Sequence, residues 1–233
     1  MKQIRRATER GIGHHGWLES YYSFSFANYY DPAHMGVSNL RVINDDRIAP
    51  SAGFGTHSHR DMEIVTYVLD GELEHKDSMG NGSIIRSGDV QRMSAGTGVA
   101  HSEYNPSDTN RVHLLQIWLQ PNKQGVKPTY TQQHFPLNER KGVLKLLISP
   151  DGREGSIATH QEGLLYSTLL EKGASVTYLQ SSERIVYVHI AKGEAVVNGE
   201  PLQAGDAIIL TDELNTELTG VNQAEILLFD LPR

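Results

Sequence analysis

Glu63-Ile64-Val65-Thr66-Tyr67-Val68-Leu69-Asp70-Gly71-Glu72 decides the fold class of this chain. A run rich in β-branched and aromatic side chains ends in Asp-Gly, a dipeptide that turns a strand back on itself in a tight hairpin. Outward from it, residues 83–85, 90–93 and 111–120 read as further strands, with Asn81-Gly82 and Gly88-Asp89 as turns. Short strands broken by turns every eight to twelve residues or so predict an all-β sandwich or barrel. Few segments have a helical period. Residues 9–30, rich in glycine and aromatics, read as irregular.

The same design recurs in the second half. Gly71-Glu72, Asn81-Gly82 and Gly88-Asp89 return as Gly193-Glu194, Asn198-Gly199 and Gly205-Asp206. The last two pairs share an offset of 117 residues, and the first is shifted by a hairpin five residues shorter. An apolar strand precedes each Gly-Glu, at 64–69 and again at 185–190. The expectation is two β-domains of like design, at 1–130 and 131–233, linked through the proline-containing segment 121–136.

At 233 residues with a net charge of −7 and no Lys/Arg cluster, the chain is not built around a nucleic-acid surface. It contains no cysteine, which excludes disulfides, thiolate metal sites and cysteine nucleophiles. No apolar run approaches the ~18 residues of a membrane span, and no apolar segment follows the basic start at Met1-Lys2-Gln3-Ile4-Arg5-Arg6. A cytoplasmic protein is expected, without membrane or direct nucleic-acid partner.

Eight of the 11 histidines precede residue 120. Among them, His57-Ser58-His59 and His101-Ser102-Glu103 share one pattern: two metal-ligand side chains at i and i+2 around a serine. On a strand such residues point to one face, roughly 6–7 Å apart. Two pairs on neighbouring strands would aim three imidazoles and one carboxylate at a common point, a donor set for a divalent transition metal. The bland alternative is polar strand residues satisfied by hydrogen bonds. Context shifts the balance: glycine-rich backbone leads into each pair, and the repeat carries neither. Shifting His101 and Glu103 by 117 gives Leu218 and Gly220; shifting His57 and His59 by 122 gives Leu179 and Ser181. Glu63 shares the His59 face one step further away and is read as supporting or structural. His160 and Glu162 are read as a surface pair. Gly11-Ile12-Gly13-His14-His15-Gly16 has the letters of a dinucleotide loop but no preceding apolar strand, so a structural turn is expected there.

Several stretches resemble the bacterial pirin-like proteins, a family of cupins. They are His15-Gly16-Trp17-Leu18, Phe24-Ser25-Phe26-Ala27-Asn28-Tyr29-Tyr30-Asp31-Pro32, Arg41-Val42-Ile43-Asn44-Asp45-Asp46 and Gly53-Phe54-Gly55-Thr56-His57-Ser58-His59. Asp77-Ser78-Met79-Gly80-Asn81 and Met93-Ser94-Ala95-Gly96-Thr97-Gly98 continue the match, which runs through His101-Ser102-Glu103-Tyr104-Asn105-Pro106 and loosens beyond about residue 120. The resemblance implies two tandem cupin barrels, a bicupin, with one mononuclear metal site in the first. It puts the ligands on His57, His59, His101 and Glu103. In the general cupin pattern Glu63 would be the nearest counterpart of a glutamate ligand; in pirin-like proteins Glu103 takes that role.

Three neutral imidazoles and one carboxylate leave a divalent ion at about +1. An octahedral ion would keep two open positions, which suits Fe2+ first, with Zn, Mn, Ni, Co or Cu as alternatives. The resemblance implies a quercetin 2,3-dioxygenase: a monomer that takes a small aromatic substrate such as a flavonol together with O2, with Glu103 as ligand and catalytic base. A metal-binding regulator acting through a protein partner is the alternative reading.

Overall fold

The computed structural model describes residues Met1–Arg233. Twenty-two strands account for nearly all regular structure; the only α-helix is α1 (Leu137–Arg140). The first half contains β1 (Lys2–Arg5), β2 (Gly11–His14), β3 (Leu18–Tyr22), β4 (Leu40–Ile48), β5 (Gly53–His59), β6 (Glu63–Asp70), β7 (Glu72–Asp77), β8 (Gly82–Arg86), β9 (Asp89–Ser94), β10 (Val99–Tyr104), β11 (Val112–Leu119) and β12 (Thr129–His134). The second contains β13 (Lys145–Ser149), β14 (Ile157–Ala158), β15 (Leu164–Leu170), β16 (Ser175–Leu179), β17 (Arg184–Lys192), β18 (Glu194–Val197), β19 (Glu200–Gln203), β20 (Ala207–Thr211), β21 (Asn215–Gly220) and β22 (Ala224–Pro232).

Residues 11–134, joined by 159–161, form one compact unit; residues 1–10, 135–158 and 162–233 form the other. Each pairs a seven-stranded with a four-stranded sheet. The orders are β12-β9-β6-β11-β4-β3-β2 and β5-β10-β7-β8 in the first unit, and β1-β20-β17-β22-β15-β13-β14 and β16-β21-β18-β19 in the second. The hairpins at Asp70-Gly71 and at Gly193 occupy matching places in the two topologies.

Two sequence readings need correction. Residues 1–10 do not belong with the domain drawn at 1–130, because β1 pairs antiparallel with β20 and its backbone hydrogen bonds are satisfied there. And residues 9–30 are not wholly irregular, since they hold β2 and β3, ordered by pairing with β4. Tertiary pairing overrides the weak strand propensity of glycine here. A Cβ at Gly11 would lie 2.4 Å from the Tyr29 ring, and one at Gly13 2.1 Å from the Tyr22 hydroxyl. Those two glycines make room for tyrosines rather than for a phosphate.

Period-two alternation sets the interior of each unit. In the first, β6 presents Ile64, Thr66 and Val68 at alternate positions, and its partner β11 presents Trp118, Gln116 and Leu114 opposite them. Val68, Leu73, Ile85 and Leu114 belong to one apolar cluster, and Ile64, Met93 and Val99 to another, with Trp118 packed on it. The intervening register positions are polar: Thr66 opposite Gln116, and His75 opposite Glu103. In the second unit Val188 opposes Leu228 and Val197 opposes Leu218, and all four lie in a single apolar core. The first unit has a polar layer where the second is filled with aliphatics.

Candidate metal centre

Strands β5 and β10 run antiparallel, with His101 opposite His57 and Val99 opposite His59. The i, i+2 spacing then turns all three imidazoles to one face. Their ring centroids lie 4.5 Å (His57–His101), 4.8 Å (His57–His59) and 4.9 Å (His59–His101) apart. Close approach of the two strands depends on Gly53, opposite Tyr104. A Cβ there would meet the Glu103 carbonyl oxygen at 2.2 Å and the Tyr104 Cα at 2.5 Å.

The donor atoms of the three imidazoles lie within 4.8 Å of one another. His59 Nε2 and His101 Nε2 stand 3.0 Å apart. Two nitrogens about 2.1 Å from one ion at right angles would be about 3.0 Å apart, so the spacing fits shared coordination. His57 Nδ1 donates to the Gly55 carbonyl at 2.8 Å, which leaves its Nε2 lone pair for a ligand. Burial, with the neighbouring His57 charge, depresses His59 to about 4. Burial and the surrounding histidines depress His101 to about 3. At neutral pH both rings are uncharged, the form that ligates. The residues therefore fit a divalent cation.

Glu103 is 3 % exposed and pairs with no Lys or Arg. Gln116 Nε2 donates to its Oε2 at 2.9 Å and Thr66 Oγ1 to its Oε1 at 3.3 Å. Burial raises its pKa, partly offset by nearby imidazoles and those two hydrogen bonds. On the β5 side the register shifts between His101 and Glu103, while on the β7 side Glu103 stands opposite His75 in regular register. Glu103 groups with His75 and His101, again within 4.8 Å, rather than with all three triad histidines at that spacing.

Above the cluster lies a pocket of about 400 Å³ lined by Trp17, Phe26, Phe54 and Trp118 together with His57, His59, Glu103, Gln116 and Asp46. Trp118 packs edge-on against His59 at 5.0 Å, and Phe54 lies 6.3 Å from His57. Asp46 is buried and accepts a hydrogen bond from Ser20 Oγ. Burial, reinforced by the charges of Asp45 and Glu103, pushes it up to about 7 against that bond.

The remaining sequence candidates lie elsewhere. Glu63 is buried and bound by Ser94 Oγ at 2.5 Å, away from the donor groups. His160 lends its backbone carbonyl to Asn122, and neither it nor Glu162 joins a donor group. His75, Asp77, Thr66, Gln116 and Asp46 escaped the sequence reading. One signal was present: His75-Lys76-Asp77 has the same i, i+2 pattern as the two pairs, directly after the Asp-Gly hairpin.

Comparison with known proteins agrees with this architecture. Residues 4–119 match the family model for Pirin, and residues 146–231 match that for the Quercetinase C-terminal cupin domain. The chain is 48% identical to the Quercetin 2,3-dioxygenase of Escherichia coli K12, over 100% of this chain and 99% of that protein. It is 40% identical to a Pirin-like protein of Caulobacter vibrioides, over 94% and 95% of the two chains. Among solved structures, the bacterial pirin YhhW of Escherichia coli in complex with nickel(II) superposes with a TM-score of 0.95 at 47% identity, covering 100% of this chain and 99% of that one. With its two β-units, its histidine triad in the first and full-length similarity to these proteins, the chain belongs to the pirin family and has the bicupin fold.

Proposed function

We propose that this protein is a metal-dependent dioxygenase that opens the heterocycle of a flavonol such as quercetin with O2 and releases carbon monoxide. The observation that carries the reading is a cluster of three imidazoles, two of which, His57 and His59, share the wall of one aromatic-lined pocket with the buried Glu103 carboxylate. Full-length similarity to the Escherichia coli Quercetin 2,3-dioxygenase supports it. His57, His59 and His101 would hold the ion, and we assign Glu103 as fourth donor. Fe2+ is our first choice; the nickel(II) complex of YhhW supports a divalent ion of this general kind.

When bound, such an ion supplies Lewis acidity toward a phenolic oxygen. The protein supplies the rest. Trp17, Phe26, Phe54 and Trp118 offer apolar faces to a planar polyphenol and exclude water. Glu103, made more basic by burial, takes the proton of the reacting hydroxyl. Gln116 and Thr66 hold that carboxylate in orientation. Asp46, on the same wall, is placed to hydrogen-bond a further hydroxyl of the substrate. We take the protein to act on this small molecule as a monomer in the cytoplasm.

The test is metal analysis of purified protein, followed by quercetin added anaerobically and then exposed to O2 with carbon monoxide detection. Metal-replete protein should consume quercetin and O2 together and release carbon monoxide. His57→Ala should lose at least ~100-fold in kcat/KM, the scale expected when a catalytic group is removed. Unconsumed quercetin, with His57→Ala indistinguishable from the parent, would sink the proposal.

A further inference from the structure

A buried chain of groups leads away from the triad through His101. His101 Nδ1 lies 3.4 Å from His75 Nδ1, a long hydrogen bond, and His75 Nε2 lies 3.2 Å from Asp77 Oδ2. His75 and the Asp77 side chain are wholly buried, and His101 is 2 % exposed. The His75 ring is held against Tyr130, with centroids 4.8 Å apart, and the Tyr130 hydroxyl bonds to Ser83.

Asp77 cannot rotate freely. The backbone N–H groups of Met79 and Asn81 donate to its Oδ1 at 2.9 and 3.0 Å, and Asn81 Nδ2 donates to its Oδ2 at 2.8 Å. An ionised carboxylate only accepts hydrogen bonds. The His75 nitrogen that faces it must therefore donate, and for His101 to ligate through Nε2 the other His75 nitrogen must accept, so His75 carries its one proton on Nε2. Its Nδ1 is then a lone pair, and the facing His101 Nδ1 must be the donor. A neutral imidazole has one proton. The His101 Nε2 is left as a lone pair, turned toward His59 Nε2.

We propose that His75 and Asp77 are positioning residues of the metal centre: they hold the proton of His101 on Nδ1 and so keep its Nε2 free for a divalent ion. The inference rests on the assignment of His57, His59 and His101 as ligands. Outer hydrogen-bond partners of this kind fix both the tautomer and the ring orientation of a metal-ligating histidine.

Asp77→Asn is the sharpest test, because it keeps shape while exchanging one acceptor for a donor. The Met79 and Asn81 N–H groups require oxygen at the Oδ1 position, so the new amide nitrogen takes the Oδ2 position, where it faces His75 Nε2 and donates also to Asn81 once that side-chain amide turns its oxygen inward. The proton then sits on His75 Nδ1, and His101 is driven to carry its proton on Nε2, where the ion should bind. In the full-length protein, Ni(II) affinity by calorimetry should fall about 10- to 100-fold, the range for loss of such a partner. The 15N shifts of His101 in metal-free protein should exchange between Nδ1-H and Nε2-H patterns. A second pair of variants gives an independent answer. His75→Asn puts an amide oxygen near the Nδ1 position and should bind Ni(II) close to normally. His75→Phe keeps the ring beside Tyr130 but has no acceptor, and should bind weakly. A packing role would reverse that order and overturn the proposal. So would parental Ni(II) affinity with an unchanged His101 tautomer in Asp77→Asn. If the parent binds no Ni(II), or binds it equally well with His57→Ala, the ligand assignment itself falls; if it binds through His57 and the Asp77 and His75 variants match it, only the positioning role falls.

Discussion

Two carboxyl groups, Asp46 and Glu103, face one pocket, and burial raises both. For Asp46 the consequence can be measured. Its folded value of about 7 stands above the ordinary aspartate value of 3.8, so the folded state binds the extra proton between them. Stability therefore falls as pH rises from about 4 through 7. Asp46→Asn keeps an oxygen acceptor for Ser20 and cannot ionise. In metal-free protein it should melt at a higher temperature than the parent at pH 8, with the difference shrinking as pH falls through 7 toward 4. His59 and His101 act in the opposite sense. Their folded values lie below 6.5, so the stability they contribute is complete above that pH and is lost as the pH falls toward about 4 and about 3. The pH profile of the difference between parent and Asp46→Asn isolates the carboxyl from this background. A difference independent of pH would remove the titration argument for Asp46. Residues of this kind were hard to read from sequence because nothing in Asn44-Asp45-Asp46 says which acid turns inward. Asp45 pairs with Arg47 and His113, while Asp46 lines the pocket.

At the scale of elements, the site is a register effect. An antiparallel pairing puts His57 opposite His101, and a one-residue slip would turn every donor to the other face. Gly53 guards that pairing at its far end, where a side chain would strike the backbone of β10. Gly53→Ala should destabilise the protein by about 1–3 kcal/mol, the usual cost of forcing extra volume into a packed place, and should weaken Ni(II) binding in parallel. Denaturant melts and calorimetry check both, and a variant with parental values would show that the strands have slack. The i, i+2 pairs were legible because a strand repeats every two residues. The departure at Glu103 was not. Glu103 stands opposite His75 because β10 also pairs in regular register with β7, a cross-strand relation that neither strand announces alone. The hydrogen bonds from Thr66 and Gln116 were likewise invisible, since they come from β6 and β11.

At the scale of the whole molecule, one design serves two ends. Both units share the order of the four-stranded sheet and of the central strands of the larger one, but Thr66, Gln116, His75 and Glu103 in the first stand where Val188, Leu228, Val197 and Leu218 fill the second; strand pairing thus matches Leu218 to Glu103, where a uniform shift of 117 matched it to His101. A saturating ion should add stability where it binds, about 2.7 kcal/mol at a hundredfold excess over Kd. In hydrogen exchange, Ni(II) should slow the amides of β5, β7 and β10 and leave those of β16, β18 and β21 unchanged. Equal slowing in both sets would contradict a single site in the first unit.

The sequence by itself determined the all-β class, the duplication and the two i, i+2 pairs of candidate ligands. Turn dipeptides and period-two alternation are local, and the backbone obeys them wherever they occur. Only the tertiary structure decided that β1 joins the second unit, that Glu103 stands beside His75, and that Asp46 and Asp77 are buried at the site. Those outcomes depend on which strands pair and in what register, and a strand's own residues do not specify the residues that will face it across a sheet.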